Sequence, residues 1–255
     1  MLILMLIACE DVVEAPEDLD GLITFTWSAF DGEAQALNDA LTNLEAVAGW
    51  STLTEVQDGT VSDLTADDMA LVGLDDADVA ATSGVWMLNQ FDCDFEHYED
   101  ILLYQQQDEL FDIYDGYQRT FTGDESGYRA GDETHLTWTV DYDSKVLAEA
   151  YSTVLNEEIR RFTTEDHGDV LMVRRAMPEP VVFEDETDTT WNQDYTIRTF
   201  WERADGELVH LYGMWRDVWI SDLLNADNEG IQRQLLDGLY DLDVDAAEHC
   251  LNGTP

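Results

Sequence analysis

The spacing of apolar positions changes from helical to alternating near residue 84, and that change divides the chain into two regimes. Before it, Leu19, Leu22, Ile23, Thr26, Trp27 and Phe30 share one helical stripe. Asp31-Gly32 breaks the run, and Ala34, Leu37, Leu41, Leu44 and Val47 form a second stripe. Pro16 suits the first turn of a helix, where its missing N–H leaves nothing unbonded. The pattern predicts a helical hairpin over 17–50. Between 51 and 83 the chain is acidic with short apolar pieces, and Asp58-Gly59 reads as a turn, so short strands and loops are expected there.

From Gly84 onward strands dominate. Val85-Trp86-Met87-Leu88 predicts the first, and Asp94 is placed to cap a helix in which Phe95, Tyr98, Ile101 and Leu102 share a face. The clearest strand has Leu136, Trp138, Val140 and Tyr142 alternating with His135, Thr137, Thr139 and Asp141, the period of two that buries one face of a sheet. Val170-Leu171-Met172-Val173 predicts another, stopped by Pro178 and Pro180, which lack the N–H a ladder needs. Tyr195 to Arg203 and Glu207 to Trp215 flank Asp205-Gly206, the pair a two-residue type I′ turn prefers. That turn predicts a register in which Trp201 opposes His210, Thr199 opposes Tyr212 and Ile197 opposes Met214, all on one face. Ile231, Leu235, Leu236 and Leu239 predict a closing helix over 230–239.

One segment admits two assignments. Val146, Leu147, Ala150, Tyr151, Val154, Leu155, Ile159 and Phe162 fit a helix by spacing. They also follow a predicted strand through a short Asp143-Ser144-Lys145 turn and precede another strand, where an antiparallel meander would absorb them. With the strand assignment, the order becomes strand, helix, several antiparallel strands and a terminal helix. Over residues 84–251 that order is similar to the helix-grip fold of START-like and lipid-transfer domains. The resemblance implies a curved antiparallel sheet wrapped around the last helix over a cavity, with Cys93 brought close to Cys250. The expected class is therefore α+β: an N-terminal helical hairpin, then a curved antiparallel sheet with a C-terminal helix packed on it. One globular domain is expected over 17–251, comprising the hairpin (17–50), an irregular acidic segment (51–83) and the sheet with its helices (84–251).

The extreme N-terminus has a different character. Residues 1–8 are wholly apolar and end on the small Ala8, Cys9 follows, and the chain then turns acidic at once with Glu10, Asp11 and Glu14. Leu6-Ile7-Ala8-Cys9 resembles the lipobox of bacterial lipoproteins. The resemblance implies that residues 1–8 are removed as a signal peptide, that Cys9 is acylated, and that 9–16 serve as an acidic tether. An export signal normally opens with Lys or Arg, which is missing here, so the start of translation is expected upstream of Met1. A run this short cannot span a bilayer, which needs about 20 residues in a helix. Several acyl chains would hold it instead, each buried methylene contributing about 0.8 kcal/mol. The expected location is the cell envelope, at the outer membrane or periplasmic face, with the membrane as partner through the lipid.

Composition narrows the partners further. In 255 residues, 57 Asp and Glu stand against 11 Lys and Arg, a formal net charge of −46. Such a surface repels itself at low ionic strength, and adaptation to a saline medium is expected. Nucleic acid is excluded as a partner because phosphate neutralisation needs clustered cations, while weak diffuse cation binding is expected. Arg160-Arg161 and Arg174-Arg175 are expected to pair with the protein's own carboxylates. With Cys9 lipidated, Cys93 and Cys250 form an even pair in an oxidising compartment, and a disulfide is expected. The alternative is zinc held by Cys93, His97, His249 and Cys250. Against it, His249 and Cys250 point in different directions on a helix, and Cys-x-x-Cys spacing is missing.

Catalytic motifs are absent: no Gly-x-Ser-x-Gly, His-Glu-x-x-His, Gly-x-x-x-x-Gly-Lys or Gly-x-Gly-x-x-Gly occurs. In Gly123 to Gly127 the serine, Ser126, stands one place late and beside Asp124 and Glu125, which reads as a polar loop. Asp241-x-Asp243-x-Asp245 and Asn225-x-Asp227-x-Glu229-Gly230 invite comparison with calcium loops. Ala246 replaces the required glycine in the first, and Asn252 and Leu236 stand at the bidentate positions. No cofactor or metal site is expected.

Three functions stay open. One is a non-enzymatic, lipid-anchored acidic envelope lipoprotein. Another is a carrier or sensor of a small apolar ligand in a helix-grip cavity. For it, the hairpin face of Tyr195, Trp201, His210, Tyr212 and Met214, with Trp138 nearby, supplies either a pocket or a packed core. The third is a hydrolase without recognisable motif, holding His210 or His135 beside a carboxylate or serine in a cleft. Mass spectrometry of the mature N-terminus is expected to find acylated Cys9, and an unmodified Met1 would refute the anchor. The melting temperature is expected to climb with salt as the Debye length shortens from about 8 Å at 0.15 M to about 3 Å at 1 M. A flat profile would remove the saline adaptation.

Overall fold

The computed structural model describes residues 15–49, 56–146, 149–204, 206–221, 224–225 and 229–253. The signal-peptide, lipobox and Cys9 expectations fall outside the described residues. Asp18, in extended backbone, accepts a hydrogen bond from Gly21 N at 2.9 Å and opens helix α1, Leu19–Ala29. Helix α2, Ala34–Ala48, follows the Asp31-Gly32 break and ends where Gly49 turns left-handed at φ 66°. This is the predicted hairpin, and the buried stripe of each helix (Leu22 and Trp27, then Leu37 and Leu41) rests on a sheet.

That sheet contains β1 (Gln57–Val61), β2 (Ser83–Asp92), β3 (Gly116–Phe121), β4 (His135–Val146), β5 (Glu149–Thr164) and β6 (Gly168–Ala176). It continues with β7 (Val182–Phe183), β8 (Thr190–Glu202), β9 (Glu207–Ser221) and β10 (Leu224–Asn225). The order is β1-β2-β9-β8-β6-β5-β4-β3, with β7 on β5 and β10 on β9, in one curved antiparallel sheet of ten strands. Short helices α3 (Ala66–Ala70) and α5 (Glu125–Ala130) sit in connections, while α4 (Phe95–Leu103) and α6 (Glu229–Asn252) pack on the sheet. The α+β class and the C-terminal helix on an antiparallel sheet are as expected.

Side-chain alternation sorts the interior into two layers. On β6, Val170 and Met172 face the N-terminal hairpin, whereas Leu171 and Val173 face α4 and α6. The Arg-Arg dipeptides are split the same way. Arg160 donates to Phe30 O at 2.7 Å and Arg174 bonds Asp31 at 2.6 Å, both on the hairpin side. Their neighbours Arg161 and Arg175 reach Glu99 of α4 and Glu157 on the other side. Three of these four arginines thus pair with the protein's own carboxylates, and Arg160 bonds a backbone carbonyl instead.

Several expectations are corrected, and one left open is decided. Of the two assignments for the segment after Lys145, the strand holds over 149–164: Tyr151, Thr153, Leu155, Glu157 and Ile159 are buried while Ser152, Val154 and Asn156 are exposed. Its helical appearance came from a spacing of four, which is both near 3.6 and even. Asp143 to Lys145 form no turn, because β4 continues to Val146, paired with Glu149. Asp58-Gly59 also lies within a strand, opposite Met87 and Trp86, and glycine is required because a Cβ there would stand 2.8 Å from Trp86 Nε1. The Gly123 to Gly127 stretch is not a loop throughout: Asp124 caps α5, accepting from Gly127 N at 3.0 Å. Helix α6 extends well past Leu239, since Leu242 and Ala246 continue its buried stripe and place Asp241, Asp243 and Asp245 on a helix.

The β8–β9 register differs from prediction by one residue: Trp201 faces Val209, Phe200 faces His210, Thr199 faces Leu211 and Arg198 faces Tyr212. Arg203 N donates to Glu207 O at 2.9 Å, so pairing extends to these two residues, and Gly206 is left-handed at φ 87°, while Asp205 of the expected turn lies outside the described residues. A shift of one exchanges faces on one strand, which separates Trp201 and Ile197 from His210, Tyr212 and Met214.

Cys93, just after β2, is disulfide-bonded to Cys250 near the end of α6, with Cα atoms 5.4 Å apart. Both sulfurs are consumed, so the zinc alternative has lost its thiolates. Closing a separation of 157 residues stabilises the fold by roughly 5 kcal/mol in the chain-entropy model.

Candidate functional site: a cavity beneath the last helix

Between α6, α4 and the inner face of the sheet lies a cavity of about 360 Å³. Its helical wall is mostly apolar, with Ile231, Leu235, Leu239 and Leu242 on α6 and Ile101 and Leu102 on α4, interrupted by Gln234 and Asp243. The sheet wall is mixed. Tyr142 and Tyr151 come from β4 and β5, Arg175 from β6, Arg198 from β8, and His210, Tyr212 and Arg216 from β9. Of the 11 cationic residues in the chain, Lys145, Arg175, Arg198 and Arg216 line this one space.

Most of these charges are paired. Arg175 Nε donates to Glu157 at 2.5 Å, and Arg216 Nε donates to Asp194 at 2.9 Å. Lys145, exposed, meets Asp115 at 2.7 Å. Burial alone would raise the Glu157 carboxyl, but the nearby positive charges of Arg175, Arg198 and Arg119 outweigh it and hold the pKa at about 2. Trp138 Nε1 adds a hydrogen bond to the same carboxylate at 2.7 Å. Burial raises the phenols of Tyr98, Tyr114 and Tyr142, so at neutral pH each remains a protonated donor. Arg198 differs from its neighbours: its Nε is buried without a hydrogen-bond partner, and no carboxylate among the described residues forms an ion pair with it.

His210 Nδ1 lies 2.8 Å from Asp243 Oδ1, and Asn89 Nδ2 donates to the other oxygen at 2.9 Å. A carboxylate can only accept, which places a proton on Nδ1. The ring stacks on Phe200 at 4.1 Å, and its Nε2 is buried without a partner. His135 also has a carboxylate, Glu158 at 2.9 Å, but on an exposed edge.

Of the residues expected to form a pocket, His210 and Tyr212 line the cavity. Met214 shares their face but packs against Val85, Met87 and Leu236. Trp138 is on the inner face of β4, sealed in the core beside Glu157. Tyr195 and Trp201 are on the opposite face, where Tyr195 meets Trp27 at 6.3 Å, and they are excluded from the cavity by the register shift. Sequence reasoning expected Arg175 to pair with a carboxylate but did not place it in a pocket, and it missed Arg198, Arg216 and the partners Glu157 and Asp194. The available cue was cation scarcity: in so acidic a chain, arginines at inward positions of apolar strands stand out.

No protein-family model matches the chain, and no curated protein does. Among solved structures it is similar to a START superfamily protein from Mycobacterium smegmatis, with TM-score 0.43 and 7% identity over 67% of this chain and 99% of that one. Human StAR-related lipid transfer protein 5 gives TM-score 0.44 and 6% identity over 85% of this chain and 95% of that one. A STAR-related lipid transfer protein from Xanthomonas axonopodis gives 0.39 and 8%, over 63% and 76%.

Glu157 ties the cavity wall to acid stability. Its folded pKa is depressed below the unfolded value, so its stabilisation is complete above about pH 4.5 and is lost as pH falls toward 2. Glu157→Gln is expected to lower stability at pH 7 by about 3 to 5 kcal/mol, because Arg175 is left buried and unpaired. Denaturant titrations of parent and variant should converge as the pH drops through that window. A difference independent of pH would contradict the assignment.

Proposed function

We propose that the protein is a carrier or sensor of a small apolar ligand, held between α6 and the inner face of the sheet, without catalysis. The observation that carries this reading is the cavity of about 360 Å³ walled by the apolar stripes of α4 and α6. Ligand sites of about 300–1,000 Å³ with mostly apolar walls and a few placed polar groups are the usual form for small-molecule binding. The same apolar stripes, were they only core, would close on one another at native packing density.

The hydrolase alternative has one feature in its favour, the His210–Asp243 pair inside a cleft. A base of this kind acts through Nε2, and no hydroxyl or thiol of the described residues is bonded to that atom. Binding therefore accounts for more of the site than hydrolysis does. On the same proposal, acylated Cys9 tethers the carrier to the envelope, and its acidic surface faces the periplasm or medium.

A neutral apolar fluorophore, N-phenylnaphthylamine, is expected to bind the parent saturably with enhanced emission. Ala246→Phe, which projects an aromatic ring into the cavity, should weaken binding at least about tenfold, whereas Leu239→Ala, which enlarges it, should retain binding. Absence of saturable binding to the parent would overturn the reading. So would an Ala246→Phe variant that folds and binds unchanged.

A further inference from the structure

Resting on the carrier reading, we infer that the ligand is an amphiphile with a single carboxylate head, and that Arg198 receives that head. Three arginines on adjacent strands β6, β8 and β9 face the cavity, and two of them already hold a carboxylate: Arg175 with Glu157 and Arg216 with Asp194. Arg198 has none. A guanidinium carries five N–H donors in a planar fork, and leaving such a group unbonded inside a protein is unfavourable unless something else completes it. The fork matches the two oxygens of a carboxylate.

A second orphan lies beside the first. Arg198 stands opposite Tyr212 on β9, and His210 is two residues along that strand, the diagonal position, where Cα atoms are about 7–8 Å apart. His210 Nε2 is buried and unpartnered, and the residue lines the same cavity. With Nδ1 donating to Asp243, this Nε2 is an acceptor for a polar hydrogen of the ligand beside its head.

Charge selects the head. The Arg175–Glu157 and Arg216–Asp194 pairs cancel internally, and both oxygens of Asp243 are taken by His210 and Asn89. Asp243 keeps its own negative charge, so what singles out Arg198 is that, among the described residues, it is the cavity-lining cation without a bonded carboxylate, and a monoanion adds the least charge beside Glu157, Asp194 and Asp243. A phosphate dianion would add a second charge among Glu157, Asp194 and Asp243, at positions where like charges repel with little screening. The apolar stripes of α4 and α6 then take the hydrocarbon tail.

The test compares probes of one tail length with different heads: dodecanoate, dodecanol and dodecylamine, by isothermal titration with the full chain. Dodecanoate is expected to bind at least about tenfold tighter than dodecanol, and dodecylamine weakest, as a charge-assisted contact on a half-buried arginine predicts. Arg198→Met should bring dodecanoate to within about twofold of dodecanol while leaving dodecanol unchanged. The unliganded variant breaks no hydrogen bond or ion pair among the described residues and is expected to fold, with a melting temperature lowered at most by the loss of part of the positive field on Glu157. If dodecanoate and dodecanol bind the parent equally, the head-group inference is overturned and the carrier reading stands. If none of the probes binds, both are overturned. If discrimination survives in Arg198→Met, the carboxylate is received elsewhere and the assignment to Arg198 is wrong. The parent comparison decides the head-group question even if the variant fails to fold.

Discussion

The cross-strand pairing of Glu157-Glu158 on β5 with Arg175-Arg174 on β6 holds the layers of this protein together. Because successive side chains leave a strand on opposite faces, one register produces two ion pairs, one per face. On the outer face Arg174 bonds Glu158 at 2.8 Å and reaches Asp31 after α1, with its guanidinium over Phe30 at 4.3 Å. On the inner face Arg175 and Glu157 form part of the cavity wall. A slip of one residue would turn one strand's two charges to the opposite faces and leave Glu157 and Arg174, both buried, without their partners. Such pairs contribute little net stability against an apolar substitute, but losing one partner is costly, so they specify register more than they add free energy. The position of the N-terminal hairpin and the shape of the cavity are thereby fixed by the same two dipeptides.

Charge is therefore distributed by a rule that the net value of −46 conceals. Carboxylates cover the surface, where salt screens them, while several of the few arginines are drawn inward, Arg129 and Arg233 remaining exposed. Arg161, Arg174, Arg175 and Arg216 each bond a carboxylate at a partly or fully buried site. Screening reaches these inner pairs poorly, so their strength is nearly independent of the medium, whereas surface repulsion is strongly dependent on it. Salt acts on the outside of such a molecule, and pH acts on the inside through groups such as Glu157.

Much of the fold was legible in the sequence. The stripe of Leu22, Trp27, Leu37 and Leu41 indicated the hairpin, the alternation from Leu136 to Tyr142 indicated β4, and two cysteines left after Cys9 indicated the disulfide. What failed had identifiable causes. An Asp-Gly pair does not by itself fix the register, and the one inferred from it, off by one residue, moved Trp201 and Tyr195 onto the face of His210. Glycine in Asp58-Gly59 answered to a neighbouring indole, a tertiary reason invisible in local pattern. Inward arginines were overlooked because charge in a strand ordinarily marks the wet face, and among 57 acids any given partner looks like chance.

The unpaired Arg198 can be understood within this economy of cations. Every other cavity-lining cation has its carboxylate within 4.0 Å, so the fold demonstrably supplies partners where it needs them. A half-buried cation whose Nε is enclosed without a partner leaves one donor unsatisfied in the empty protein, and a ligand that completes it returns that free energy only when bound. Ligand affinity and folding stability are then linked, since anything that binds only the native state stabilises it by RT ln(1 + [L]/Kd). The empty form is correspondingly the less stable one, with α6, pinned by Cys93–Cys250 at its C-terminal end, forming the wall over the space the ligand would occupy.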